Sequence, residues 1–193
     1  MEVLTIGHST LPGDVFLRVL KENGCATLVD IRTVPKSRHN PQFGQDVLKP
    51  TLVAQGIDYQ WLRELGGLRR TSAASVNTAW RNTSFRGYAD YMQTDQFAAA
   101  VNALLAIAER APTTIMCAEA VPWRCHRSLV GDALLARGVP VEDIFYDKQG
   151  ASERKPHHMT PFARVEGTQV WYPAPESAQE PLFDSLGQLP GEG

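Results

Sequence analysis

The sequence predicts a three-layer α/β fold, a mostly parallel open sheet with helices on both faces, followed by a disordered C-terminal tail. Three observations predict it. Short apolar runs, "VLTIG", "TLVDI", "TTIMC" and "VEDIF", recur along the chain as buried strands. Segments with apolar residues at helical spacing lie between them, the alternation that makes parallel strands joined by right-handed crossovers. Finally, 193 residues with 43% hydrophobic content can bury one proper core, so one domain and a tail are expected.

The elements follow in order. "VLTIGHS" reads as a strand entering a turn. "PGDVFLRVLKENG" places Val15, Phe16, Val19 and Leu20 on one helical side, and Gly24 suits that helix's end. "CATLVDIR" is a second strand, stopped near Pro35, and residues 33–40 are a polar, basic loop. Residues 45–55 suit a helix and "GIDYQWL" a third strand beside the second. Residues 66–91 are the least regular stretch, rich in Gly, Ser and Thr around arginines and aromatics, and are expected to form a long functional insertion. Thr94 to Arg110 is an amphipathic helix with Phe97, Val101, Leu104, Leu105 and Ala108 on one side. "TTIMC" is the next strand, "SLVGDALLARG" the next helix, and "VEDIFYD" the last strand. The expected division is an α/β domain over 1–147, an extension over 148–173, and a Pro-, Gly-, Glu- and Gln-rich tail over 174–193.

Composition narrows the function. The net charge of -2 argues against a protein that coats nucleic acid through overall basicity, while leaving local basic patches open. No apolar run is long enough to span a bilayer, and "MEVLTIGHST" lacks the regions of a signal peptide, so a cytoplasmic protein is expected. Three cysteines do not suggest a secreted disulfide framework; they read as packed thiols, reactive thiols or ligands.

Chemistry-bearing residues gather where the strands end. His8 follows the first strand, Asp30 and Arg32 close the second, and Cys117 and Glu119 close "TTIMC". If these strands are parallel neighbours, all open on the carboxyl edge, where ligands bind in open α/β sheets. In "CAEAVPWRCHR", Arg124, Cys125, His126 and Arg127 lead from that edge into a helix. Each residue alone has an ordinary explanation. A strand-end Cys is often a small buried hydrophobe, Asp30 with Arg32 makes a structural ion pair or loop cap, and His8 is a satisfied hydrogen-bonding residue.

Three chemistries use this set. Cys117 followed by Arg124 resembles a phosphatase loop, but the spacing exceeds Cys-x5-Arg by one residue, and Glu119 disfavours an anion. A metal held by Cys117, Cys125 and His126, with His8, is disfavoured because adjacent cysteine and histidine rarely face one ion, so neither metal nor cofactor is expected. A polar pocket asks least of the geometry: Asp30 or Glu119 orients water or stabilises charge, His8 or His126 moves a proton, and arginines hold an anionic substrate.

The series "TIGHST", "LVDIRTVPKSRHNPQF", "GIDYQWLRELGG", "FRGYADYM" and "CAEAVPWRCHRSLVGDAL" resembles the DUF488 family, a widespread bacterial and archaeal family named for its unknown function. The resemblance runs in order to about Asp147 and implies a compact α/β domain. It marks His8, Asp30, Arg32, Ser37, Arg38, Cys117, Glu119, Cys125, His126 and Arg127 as hallmark positions, and it supplies no reaction.

Two features bias the substrate toward nucleic acid. Arginines alternate with aromatics from Arg63 to Tyr91, including Trp80, Arg81, Phe85, Arg86 and Tyr88, and guanidinium groups suit phosphates while aromatic faces suit bases. The bland alternative is that the aromatics pack the insertion while the arginines are solvated. "PKSRHN" adds Lys36 and Arg38 to the basic set. In the tail, "QEPLFD" with Gln179, Leu182 and Phe183 resembles the Gln-x-x-Leu-Phe peptide by which bacterial DNA polymerases and repair enzymes dock on the sliding clamp. The leading expectation is an enzyme acting on nucleic acid, in its most specific form a DNA-repair hydrolase or glycosylase acting on an abnormal base and docked on the clamp. The alternatives are a thiol-dependent phosphatase or transferase using Cys117, and a non-catalytic nucleic-acid-binding or clamp-associated module.

Overall fold

Val3–Gly7 (β1), Thr27–Asp30 (β2) and Thr113–Cys117 (β4) are buried along their whole length. Such runs suit central parallel strands covered on both faces. In the computed structural model, which describes residues 1–175, they form the middle of a six-stranded sheet ordered β3-β2-β4-β1-β5-β6. Asp58–Trp61 (β3) and Val141–Tyr146 (β5) continue the parallel array, and Ser152–Pro156 (β6) adds an antiparallel edge to β5.

Alternation along the strands divides the core. Leu4, Ile6, Leu28 and Met116 face Gly13–Glu22 (α1) and Gln45–Val53 (α2), meeting Phe16, Val19, Leu20, Leu48 and Leu52. Val3, Val29, Ile31 and Ile115 face the other layer, Thr83–Tyr91 (α3), Asp95–Ala108 (α4) and Arg127–Leu135 (α5), meeting Tyr88, Phe97, Val101, Leu104 and Leu129. Burying each large apolar side chain of this kind is worth about 1.5–3 kcal/mol.

The connections explain the crevice. The chain passes from β1 through α1 to β2, then through α2 to β3, on one face. It returns to insert β4 between β1 and β2, and goes on through α5 to β5 on the other face. Chain segments leaving β4 therefore diverge from those leaving both neighbours. A cleft opens at the carboxyl ends where such strand order reverses.

Two stretches carry more structure than their composition suggests. Residues 66–91 end in α3, because Asn82 caps the helix by accepting from the Ser84 and Phe85 amides. The rest is tied down by Asp90, whose carboxylate accepts from the Ser72 amide, the Ser75 hydroxyl and the Asn77 side chain at 2.6–2.8 Å. After Asp147 the chain supplies β6 and a hairpin, Arg164–Glu166 (β7) with Gln169–Trp171 (β8). Tyr172, fully buried, packs into the same core as α3, α4 and α5. The docking motif at Gln179, Leu182 and Phe183 lies outside the described residues. Among those described, no helix is long and apolar enough to cross a membrane.

Candidate functional site

The parallel register places Gly7 beside Cys117 and Asp30 beside Met116, so His8, Arg32 and Ala118 emerge together at one edge. The backbone ladder continues past the strands: the His8 amide donates to the Cys117 carbonyl at 2.9 Å and the Ser9 amide to the Ala118 carbonyl at 2.8 Å. Ser9 takes a φ of 45°, a left-handed conformation uncommon outside glycine, at the turn where the chain leaves this ladder. Gly7 is required here, because a Cβ would overlap the Glu119 carbonyl and the Arg127 guanidinium. Above the edge lies a cavity of about 410 Å³, bounded by His8, Arg32, Ser37, Cys117, Glu119 and His126, among others.

Asp30 and Arg32 form a structural unit. Asp30 is fully buried; its carboxylate accepts from Arg32 Nε at 2.9 Å, Arg32 Nη2 at 2.5 Å, the Arg32 amide at 3.0 Å and the Tyr59 hydroxyl at 2.7 Å. With its lone pairs engaged by four donors, it is a support for Arg32 rather than a base. Arg32 also donates to the Phe43 carbonyl at 2.8 Å and, through Nη1, to His8 Nε2 at 3.3 Å. An arginine can only donate, so His8 carries its proton on Nδ1, which donates to the Ser9 carbonyl at 2.9 Å. Burial, reinforced by the Arg32 charge, lowers the His8 pKa to about 4. His8 is thus a neutral wall, stacked on Phe43 with centroids 4.0 Å apart.

The reactive groups converge next to this wall. Cys117 ends β4, while Cys125 and His126 come from the turn into α5. His126 Nε2 donates to the Ile31 carbonyl at 3.1 Å, so a neutral His126 carries its lone pair on Nδ1. That atom lies 3.9 Å from Cys117 Sγ and 3.7 Å from Cys125 Sγ. Of the two thiols Cys125 is held below the ordinary value, by the neighbouring Cys117 thiol first, against burial and with help from His126 and Arg127. The proximity of Cys125, with burial, pushes Cys117 up. The sequence argument that adjacent Cys125 and His126 do not face one point fails for a local reason. Cys125 is extended (φ -131°, ψ 142°) and His126 helical (φ -56°, ψ -16°), and this break turns successive side chains the same way. Gly67 completes the seat, since a Cβ there would collide with the His126 ring.

Arg127 does not line the cavity. Fully buried, it donates to the carbonyls of Glu119 and Ala120 and, through Nε, to Thr5 Oγ1 at 3.2 Å, shaping the 118–120 loop from below. Thr5 donates to Asp143 at 2.5 Å, His157 bridges Asp143 (2.9 Å) and Asp132 (3.3 Å), and Asp132 accepts from the Tyr172 hydroxyl at 2.8 Å. This buried chain links the site loop to the C-terminal extension and supplies carboxylates beyond Thr5 to balance the Arg127 charge.

Other expected substrate groups divide. Ser37 and Arg124 line the cavity with Lys36; Glu119 lines it too, exposed. Arg38 is exposed and borders a neighbouring hollow with Lys36 and Ser37. Arg81 is exposed away from the cavity wall, and Arg86 donates from Nε to the Trp80 carbonyl at 2.9 Å. The aromatics of this stretch serve mainly as packing. Trp80 stacks on Phe85 and meets Phe162 and Tyr172. Tyr88 is fully buried, donates to the Leu65 carbonyl at 2.8 Å and lies beneath His126 with ring centroids 5.0 Å apart. It supports the site and cannot stack on a base. Phe85 alone of this set reaches the cavity, with Leu68, Val34 and Ser84. Sequence reasoning missed Gly67, Leu68 and Ser84; the paired glycines of "RELGG" were the available signal for a close approach.

No curated protein and no solved structure gives a significant match to the chain. The sequence profile described as "Domain of unknown function DUF488" matches residues 13–134, more than half of the chain and every cavity-lining residue except His8, and the chain therefore belongs to that family.

Proposed function

We propose that the chain is an enzyme acting on a nucleotide unit, free or within a nucleic-acid strand, with Cys117, Cys125 and His126 as its reaction centre. The observation that carries this reading is the convergence of two thiols and an oriented histidine lone pair on the floor of the switch-point cavity. The walls support the substrate class. Lys36 and Arg124 bring positive charge against the single carboxylate of Glu119, since Arg32 is neutralised by Asp30. Phe85, Leu68 and Val34 add apolar surface, so the lining offers both cations for a phosphate and an apolar contact for a base. A volume near 410 Å³ accommodates one nucleotide unit and lies in the range of small-molecule sites.

Hydrolysis is the favoured reaction, with Glu119, an exposed carboxylate of the cavity lining, as the group that would orient water, and a repair hydrolase that takes one abnormal nucleotide into the cavity is its specific form. A thiol-dependent transfer is the second reading, favoured by the approach of His126 Nδ1 to the sulfurs of Cys117 and Cys125. The test is a screen of mononucleotides and damaged oligonucleotides for phosphate release, base release and strand cleavage. Lys36→Ala with Arg124→Ala should weaken substrate capture, and His126→Ala should lower turnover by about 10²–10⁴. If wild type neither binds nor turns over any member, the nucleotide reading is wrong. Clamp docking through Gln179, Leu182 and Phe183 belongs to the same proposal; a chain truncated after Pro175 should lose clamp capture in a pull-down, and undiminished capture would refute it.

A further inference from the structure

The three groups at the floor of the cavity also satisfy a different and more specific requirement. Cys117 Sγ, Cys125 Sγ and His126 Nδ1 all lie within 4.8 Å of one another. We propose that they form a zinc site of two thiolates and one imidazole, with its fourth position open to the cavity.

Distance is the first argument. Tetrahedral zinc with Zn–S near 2.3 Å and Zn–N near 2.0–2.1 Å requires sulfur and nitrogen about 3.6 Å apart. The two sulfur-to-Nδ1 separations are 3.9 and 3.7 Å, within a few tenths of an ångström of that value, and the two sulfurs lie within 4.8 Å of each other, so the sulfurs draw together by up to about 1 Å to meet one ion. Orientation is the second. A zinc-binding histidine commonly donates its remote N–H to a carbonyl or carboxylate, which fixes the ring and aims the other lone pair. His126 makes that bond to the Ile31 carbonyl, and Tyr88 and Gly67 pack against the ring.

The donor set selects the metal. Two soft sulfurs and an imidazole favour zinc over magnesium or calcium, which require oxygen ligands. Charge fits as well: two thiolates cancel a dication, so the loaded centre adds no net charge beside Arg32 and Arg127. The ligands come from the end of β4 and the start of α5, two elements fixed by the core. Three protein ligands with one face on a cavity is the arrangement of a catalytic zinc rather than a closed structural one. What the ion would do rests on the enzymatic reading above; its binding does not.

The full chain, expressed in zinc-supplemented medium, should carry roughly one equivalent of zinc by elemental analysis, as a three-ligand site implies. Replacing zinc by cobalt(II) should give thiolate-to-cobalt charge-transfer bands in the near ultraviolet and intense visible bands of a tetrahedral ion. Cys125→Ser and His126→Ala should each reduce zinc content at least tenfold, and Cys25→Ala, on the opposite face of the sheet, should leave it unchanged. A folded wild-type chain that stays metal-free and gives no cobalt bands would overturn the proposal without reference to any variant. Rapid alkylation of Cys125 in that metal-free chain would then favour the thiol-dependent reading. Zinc bound by a chain that captures no nucleotide would instead leave this site standing and remove the substrate assignment.

Discussion

The ring of His126 is fixed by Nε2 donating to the Ile31 carbonyl at 3.1 Å, a contact between residues 95 positions apart that leaves Nδ1 facing two thiols. The backbone end of β2 thus sets the histidine that serves Cys117 and Cys125 on β4 and α5. His126→Ala should lower kcat/KM by about 10²–10⁴ while leaving nucleotide affinity within a few fold, because the ring acts at the reaction centre and Lys36 and Arg124 hold the substrate. These roles are those of the proposed function, and steady-state kinetics beside equilibrium binding checks the split.

Gly67→Ala should displace that ring without removing it. A Cβ at this position meets His126 Nδ1 and its neighbouring ring carbons, so the histidine or the 66–68 backbone must shift. A loss of about 1–3 kcal/mol in urea unfolding is expected, as for other overpacked sites, together with a larger fall in kcat than in substrate affinity.

Asp30→Asn tests whether the carboxylate supports or reacts. Asp30 and Arg32 are 0% and 6% exposed and are paired at 2.5 Å. Removing the negative charge leaves the arginine buried without its partner, which costs about 3–5 kcal/mol. The expected outcome is a large drop in denaturation midpoint, with residual activity per folded molecule. Full stability with total loss of turnover would mark Asp30 as a reacting group.

His157 gives the fold a pH dependence. Its bonds to Asp132 and then Asp143 outweigh burial and raise its pKa from 6.5 to about 9. A histidine with a raised folded-state value contributes its full stabilisation below pH 6.5 and loses it as pH rises through 9. At 1.36 kcal/mol per unit the contribution is on the order of 3 kcal/mol. Urea unfolding should show stability falling between pH 6.5 and 9, and His157→Gln should flatten that slope.

Much of this was legible in the sequence, for identifiable reasons. Continuous apolar runs such as "TTIMC" identify central strands, and Phe16, Val19 and Leu20 identify the buried side of α1, because period and burial are local signals. The strand ends then placed His8, Arg32, Cys117 and Glu119 at one edge. Roles were less legible. Nothing local distinguishes an Asp30 saturated by Arg32 and Tyr59 from a free base, since Tyr59 arrives on another strand. Tyr88 resembled a base-stacking group because its burial depends on α4 and Leu65. The facing of Cys125 and His126 depends on a backbone break that composition does not register. Likewise β6 and Tyr172 sit in polar sequence and are ordered by partners, Asp143 and Asp132 among them, that only the fold supplies.

The most direct test of the central claim is an amide NMR titration of the full chain with a mononucleotide and a short single-stranded oligonucleotide. Shifts should concentrate at His8, Lys36, Ser37, Gly67, Phe85, Glu119 and Arg124, the rim and walls around Cys117, Cys125 and His126. Shifts confined to another surface, such as the separate hollow lined by the exposed Trp123 and the half-buried Phe145, or no shifts at all, would contradict it.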